Sequence, residues 1–324
     1  MRLAAAFVAV AGLLAACGGS SGDSGAPSST PSTPSTTTTT VTTTTAPTGV
    51  ETVGSDGCGT EADPGPTVEG AGDVVQTIES GGKQRSWRLG VPAGYDADTP
   101  APLIFNFHGL GSNAAEQSVY SRLPRLGGDR GAIVVTPDSI GGTWSVGADG
   151  PDVRFVDDLV DEVEGRYCVD TRRVFAAGMS LGAGMSAVVA CARPGTFGAI
   201  GLVTVEIKPP TCEPVPVIGF HGTADPVVAF DPPGGRKTTP QNVAEWVALD
   251  GCDIEPVSAP VGADVTHDRY GGCDEGTEVQ FFTVKNGGHS WPGADIQVPW
   301  GRTTQTVDAT DLILDFFEAH PLRG

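Results

Sequence analysis

The segment Gly178-Met179-Ser180-Leu181-Gly182 constrains this chain more than any other five residues. It lies between a short apolar run, Val174-Phe175-Ala176-Ala177, and a small-residue helical stretch from Ala183 to Ala192. Strand, sharp turn and helix in that order form the context of a nucleophile elbow. A Cβ at the first or last glycine of so tight a turn would crowd the neighbouring strand and helix. The serine is held in a strained backbone conformation with its hydroxyl exposed. The helix that follows aims its N-terminal N–H groups at the reacting centre. G-x-S-x-G alone is a weak pattern in a chain with 46 glycines, so its weight comes from the flanking elements.

A serine hydroxyl is a poor nucleophile until a base takes its proton, and the base is usually histidine. The chain has five. His320 lies in the C-terminal tail and His267 in a polar stretch. His108 and His221 each follow an apolar run and precede glycine, as strand-end residues do. His289 follows the strand-like run Val279–Val284 and a Gly287-Gly288 turn, and it comes after Ser180 near the end of the chain. It is the expected base. The base needs a carboxylate to fix its tautomer and stabilise the imidazolium. Asp225 sits in His221-Gly222-Thr223-Ala224-Asp225-Pro226, just after the buried-strand pattern Pro216–Phe220. An aspartate before proline is also a common turn residue. Its place in the chain order Ser180, Asp225, His289 favours the catalytic role.

Acyl transfer needs donors aimed at the developing oxyanion. The backbone N–H of Leu181 is one. The second is assigned to the Leu110 N–H, in the loop His108-Gly109-Leu110-Gly111 after the strand pattern Leu103–Phe107. His108 is then expected to brace that loop. No two histidines lie at a ligand spacing such as H-x-x-x-H, so no metal is expected, and no cofactor is implied. Trp144, in a loop after a strand, and Trp291, two residues past the expected base, are candidate pocket residues. Packing of long loops is the other use of such tryptophans.

The N-terminus reads as export. One positive charge, the apolar stretch Leu3–Ala16 and then Cys17 make a secretory signal. Leu14-Ala15-Ala16-Cys17 resembles a bacterial lipobox, which implies cleavage before Cys17 and lipidation there. The apolar run is too short to remain as a spanning helix. Residues 17–56 are mostly Gly, Ser, Thr and Pro with very few charges. They cannot bury enough apolar surface to offset their ordering entropy. The expected parts are therefore a signal peptide at 1–16, a lipidated Cys17 with a disordered tether at 17–56, and one catalytic domain at 57–324. The expected location is the extracellular face of a bacterial membrane, contacted only through the lipid, with simple secretion as the alternative. The formal net charge of −20, with only 19 basic residues, argues against nucleic acid as a partner. An ester small molecule or polymer is the expected partner, and the sequence leaves the oligomeric state open.

Six further cysteines in an exported chain imply three disulfides. Cys252 and Cys273 flank a polar stretch and form the pair most readily proposed. Cys191 ends the elbow helix and Cys212 precedes the strand leading to Asp225, so both belong at the N-terminal edge of the sheet. Cys58 and Cys168 then remain. These last two pairings stay open.

Strand patterns fall at Arg85–Val91, Leu103–Phe107, Ala132–Thr136, Arg173–Ala177, Ile200–Val205, Val215–Phe220 and Val279–Val284. Helical patterns alternate with them at Asp152–Arg166, Gln241–Ala248 and Ala309–Glu318. Alternation predicts an α/β fold with a mainly parallel sheet covered on both faces.

The motifs His108-Gly109-Leu110-Gly111, Gly178–Gly182, His221–Asp225 and Gly288-His289-Ser290-Trp291-Pro292-Gly293 together resemble the polyhydroxybutyrate depolymerase and feruloyl esterase group of secreted α/β-hydrolases. The cysteine spacing is similar to that group as well. The resemblance covers about residues 57–318 and implies a Ser-Asp-His ester hydrolase acting on a hydroxyalkanoate, feruloyl, acetyl or similar ester. Glu206 departs from it, standing where the family more often has a small residue. A carboxylate at the active edge is expected to narrow or repolarise the pocket. An acyltransferase would use the same residues with an alcohol in place of water. A non-catalytic surface lipoprotein would reuse the fold for binding, but the presence of all three triad residues favours an enzyme.

Overall fold

The computed structural model describes residues 51–60, 62 and 72–323. The expected signal peptide, Cys17 and most of the tether lie outside these residues.

The apolar runs read from the sequence form the middle of a ten-stranded sheet. In chain order the strands are β1 (Val74–Ser80), β2 (Lys83–Gly90), β3 (Ala101–Phe107), β4 (Ile133–Pro137), β5 (Val169–Met179), β6 (Ala199–Val203), β7 (Val217–Gly222), β8 (Val257–Val261), β9 (Val265–Tyr270) and β10 (Val279–Val284). Their order across the sheet is β1-β2-β4-β3-β5-β6-β7-β10-β9-β8. The run from β4 to β10 is parallel. Antiparallel hairpins close both edges. The helices are α1 (Ala114–Ser121), α2 (Leu123–Asp129), α3 (Pro151–Arg166), α4 (Leu181–Ala192), α5 (Thr239–Leu249) and α6 (Ala309–Ala319).

Side chains of the central strands alternate between two cores, as the period of a strand requires. Leu103, Phe105 and Phe107 of β3 join the core built with α3, α4 and α5. Ile104, between them, joins the core built with Leu123 of α2 and Ile313, Leu314, Phe316 and Phe317 of α6. Parallel strands buried on both faces read as continuous apolar runs, which is why their sequences stood out. α3 starts with Pro151 at its first position, where proline costs no hydrogen bond. It buries Val153, Phe155, Val156, Leu159 and Val163. Together these contribute on the order of 10 kcal/mol of gross apolar burial, most of it offset by ordering entropy.

The differences from the sequence reading lie at the edges. β1, β8 and β9 were not foreseen. All five residues of β8 are exposed or half-buried, so the strand carries no apolar alternation to read. α1 and α2 were also missed. α1 is short and starts from an Asn113 side chain that accepts the Glu116 N–H at 3.0 Å. α2 contains Pro124 and Gly127-Gly128, which read as a loop. Gly127 lies against Val134, where a Cβ would come within 3.0 Å of the valine methyl.

The folded structure reaches upstream of residue 57. Gly54 bridges Asp170, the Val53 N–H donates to the Asp170 carboxylate at 3.1 Å, and Cys58 is bonded to Cys168. The other disulfides are Cys191–Cys212 and Cys252–Cys273. The structure thus closes the two pairings that the sequence left open. Cross-linking residues 110 apart, as Cys58–Cys168 does, removes about 4–5 kcal/mol of unfolded-chain entropy in the loop-closure account. Among the described residues no helix is long and apolar enough to cross a membrane.

Candidate active site

Parallel strands β3, β5 and β7 end at the same edge of the sheet, so the loops leaving them are neighbours there. In open α/β sheets that edge carries the chemistry. β5 ends at Met179, and Ser180 follows with φ 57° and ψ −123°. A non-glycine residue held at positive φ costs about 1–3 kcal/mol and persists only where its surroundings enforce it. Here the Ser180 N–H donates to Val203 O at 2.8 Å, and its carbonyl accepts from Ala183 and Gly184 at 3.0 and 3.2 Å. The two flanking glycines are sterically required. A Cβ on Gly178 would fall on the backbone of Gly182, and one on Gly182 would fall on the carbonyl oxygen of Phe107. Gly109 is close-packed too, since a Cβ there would lie 3.3 Å from the Ser180 Cβ.

His289 is carried by a loop hydrogen-bonded to a second loop. Its N–H donates to Trp300 O, and the Gly288 N–H donates to Arg302 O, each at 2.9 Å. The His289 Nδ1–H donates to Asp225 Oδ2 at 2.7 Å, which leaves Nε2 with its lone pair. The other Asp225 oxygen accepts the N–H groups of Val227 and Val228, both at 2.8 Å. Burial by itself raises the Asp225 pKa. Hydrogen bonds from His221 and His289 outweigh it and hold the carboxyl well below the usual range.

Ser180 and His289 both line two clefts that meet beside them, of about 660 and 690 Å³. The first is walled by α1 residues, including Val119 and Tyr120, and by Ile296 and Val298. The second is walled by Val146, Val188, Val205, Ile207 and Val227. Leu110 and Trp300 border both. The N–H groups of Leu110 and Leu181 donate to no protein acceptor among the described residues. Leu181 is the first residue of α4, where an N–H has no partner within its helix.

His108 braces the loop between β3 and α1. The Ser139 N–H donates to its Nε2 at 3.1 Å, so Nδ1 carries the proton and donates to Gly109 O at 2.8 Å. Burial lowers the His108 pKa and favours this neutral form.

The three expected pocket residues line neither cleft. Trp144 is buried against Phe107 and His108, and its indole N–H donates to His108 O at 2.8 Å. Trp291 is fully buried and donates to Thr310 Oγ1 at 2.9 Å. Glu206 faces inward onto His221 while its neighbours Val205 and Ile207 line the second cleft. A large aromatic next in sequence to a catalytic loop serves packing as readily as binding, and both tryptophans are used that way. The aromatics that do line the clefts are Tyr120, in the first, and Trp300, in both; neither was expected from the sequence, and the signal for Trp300 was the clearer. Its place in Val298-Pro299-Trp300-Gly301, between two turn formers, was the available signal.

A mostly parallel sheet with an elbow serine after β5, a buried aspartate after β7 and a histidine after β10, all at one edge, defines the α/β-hydrolase class. The sequence matches the family described as Esterase PHB depolymerase over residues 86–208. It is 32% identical over 256 residues to feruloyl esterase C of Emericella nidulans, covering 75% of this chain and 86% of that protein. It is 31% identical to feruloyl esterase B of Piromyces equi, covering 61% of this chain but only 41% of that longer protein. The acetyl xylan esterase from Aspergillus awamori shares the fold, with a TM-score of 0.54 over 67% of this chain and 94% of that one, at 18% identity. The chain belongs to the polyhydroxybutyrate depolymerase and feruloyl esterase group of α/β-hydrolases, and it is a carboxylic ester hydrolase.

Proposed function

We propose that this hydrolase works through an acyl-enzyme on Ser180. The observation that carries the reading is the convergence of Ser180, the Asp225–His289 pair and two undonated N–H groups where two apolar clefts meet. His289 Nε2 takes the Ser180 proton as Oγ attacks the ester carbonyl. The carbonyl oxygen becomes an oxyanion held by the N–H groups of Leu110 and Leu181, each donor worth about a hundredfold or more in rate. His289 returns the proton to the departing alcohol. It then takes a proton from water, which attacks the acyl-enzyme and frees the acid. Asp225 keeps the imidazole oriented and balances its charge throughout.

The substrate reading follows from the clefts. Of twelve large apolar side chains exposed among the described residues, seven line these two spaces, so the exposed apolar surface is concentrated around Ser180. Each cleft has the volume of an ordinary small-molecule site. An ester with sizeable apolar groups on both sides, such as a feruloyl ester or a hydroxyalkanoate oligomer, fills them better than an acetyl ester. A panel of acetyl, feruloyl and hydroxybutyrate esters tests this. The expected order places acetyl last by about tenfold or more in kcat/KM, the worth of a few buried methylenes. Trp300→Ala should cost the bulky esters more than the acetyl ester. A preference for acetyl that Trp300→Ala leaves in place would remove the apolar clefts from specificity.

The location we propose is the outer face of a bacterial membrane, with Cys17 lipidated. Three disulfides fit an oxidising compartment, and several acyl chains anchor stably where one does not. Cys17→Ser should release the protein into the medium or stall its processing, as read by cell fractionation. An unlipidated Cys17 on the mature wild-type N-terminus, seen by mass analysis, would leave simple secretion instead.

A further inference from the structure

Behind Asp225, on the side away from the clefts, lies a second histidine–carboxylate pair. Glu206 follows β6 and is 2% exposed; His221 is in β7 and is 1% exposed. His221 Nδ1 lies 2.8 Å from Glu206 Oε2. On its other side, His221 Nε2 is 2.9 Å from Val228 O and 3.5 Å from Asp225 Oδ2, the oxygen that accepts the hydrogen bond from His289 Nδ1–H. The carbonyl can only accept, so Nε2 carries a proton. One further proton is then shared between Nδ1 and Glu206, because a carboxylate and a bare ring nitrogen cannot both accept across 2.8 Å.

The arrangement is costly for packing alone. Burying a carboxylate is unfavourable unless it is fully paired. Glu206 Oε1 has no hydrogen-bond partner in another residue among those described. Gly219 packs beside it, where a Cβ would come within 2.9 Å of the Phe281 ring and 3.4 Å of the Glu206 Cγ. The Trp246 indole of α5 donates to the Glu206 carbonyl at 2.8 Å and fixes the segment.

We propose that Glu206 and His221 are a positioning pair that keeps Asp225 ionised and aimed at His289. This rests on the triad reading given above. Neither residue lines the clefts, so neither is a catalytic residue. The proton shared with Glu206 resides on His221, making an imidazolium that faces Asp225, with Glu206 as its counter-ion. Burial alone would push the His221 pKa down. The Glu206 charge and the hydrogen bonds to Asp225, Glu206 and Val228 O outweigh it and bring it up to about 10. For Glu206 itself burial is the larger influence and pushes its pKa up, with the His221 cation opposing. The groups facing this cluster are Glu206, Asp225, His289 and the Thr239 hydroxyl of α5, 3.2 Å from His221 Nδ1. Glu116 and Lys208 are the other charged side chains lining the clefts that His289 borders.

The sign of the expected effect follows from removing the counter-ion. Glu206→Gln leaves a neutral partner on Nδ1, and His221 gives up its second proton. Asp225 then loses a neighbouring cation, and its charge acts more fully on His289. The His289 imidazolium becomes easier to form, so the acidic limb of kcat/KM moves to higher pH, on the order of one unit for a unit charge at this range. Down that limb kcat/KM should be lower by up to about tenfold, and the loss should disappear as the pH is raised toward 9.

The experiment has two arms. Ring nitrogen NMR of the histidine-labelled wild-type enzyme, assigned with His221→Gln, should show His221 carrying both protons from pH 5 to 9. The pH profile of Glu206→Gln should show the shifted acidic limb. A wild-type His221 that becomes neutral near pH 6–7 would overturn the proposal, and this arm reads the wild-type enzyme, with the variant serving only for assignment. So would a folded Glu206→Gln enzyme with lower thermal stability and a wild-type pH profile, the outcome of a merely structural role. Labelling wild-type Ser180 with a fluorophosphonate in the same samples separates the two failures. A labelled serine with an unchanged profile rejects only the pair, whereas an unlabelled serine rejects the triad reading itself.

Discussion

Ser180→Ala is expected to lower ester hydrolysis by about a thousandfold or more while the protein stays folded, with the residual rate coming from binding and the oxyanion donors. The size of the loss follows from the site. Ser180 is the hydroxyl placed at the meeting point of both clefts, in a backbone conformation that its neighbours enforce. Alanine keeps the Cβ and removes only the oxygen. Relief of strain is small, because alanine at the same positive φ is no easier to hold than serine. Turnover of a chromogenic ester, with circular dichroism to confirm folding, measures the effect. A well-folded variant with near-normal turnover would take Ser180 out of the mechanism. Fluorophosphonate labelling should be lost in the same variant.

The second large effect concerns His289 and Asp225, the other two residues of the proposed triad. His289→Ala and Asp225→Asn should each be severe, and the double variant hardly worse than His289→Ala alone. Groups that act as one unit do not contribute independently. Asp225 lines neither cleft, so in the proposed mechanism it acts through the 2.7 Å contact to His289 Nδ1. Without its charge the imidazole can take the wrong tautomer, which presents N–H rather than a lone pair to Ser180. The check is a mutant cycle on kcat at a fixed pH near neutrality. Losses that multiply would mean that the two residues work separately, and the triad reading would fail.

Much of this was legible in one dimension because the chemistry is tied to local backbone rules. An elbow needs glycine where a Cβ would strike the adjacent backbone, and Gly178 and Gly182 are such places. Buried parallel strands need apolar residues on both faces, so β3, β4, β5, β6, β7 and β10 were readable as runs. The edge strands β8 and β9 were not, because one-sided or exposed strands carry little apolar signal. Short α1 and glycine-rich α2 are held by capping and by packing on β4, neither of which leaves a periodic pattern.

The sequence by itself determined the order strand, elbow serine, aspartate, histidine, and with it the α/β class and the candidate triad, because each depends on residues within a few positions of one another. Only the tertiary structure decided what surrounds them. Glu206 turned from the cleft to His221, fifteen positions away. Trp291 went into the core, and Trp300, through the hydrogen bond that its carbonyl accepts from the His289 N–H, came to border both clefts. Cys58 found Cys168 across 110 residues. The physical reason is common to all three. The direction of a side chain and its distant partner depend on strand register and on how loops close over one another, and those are settled by packing energies summed over the whole domain.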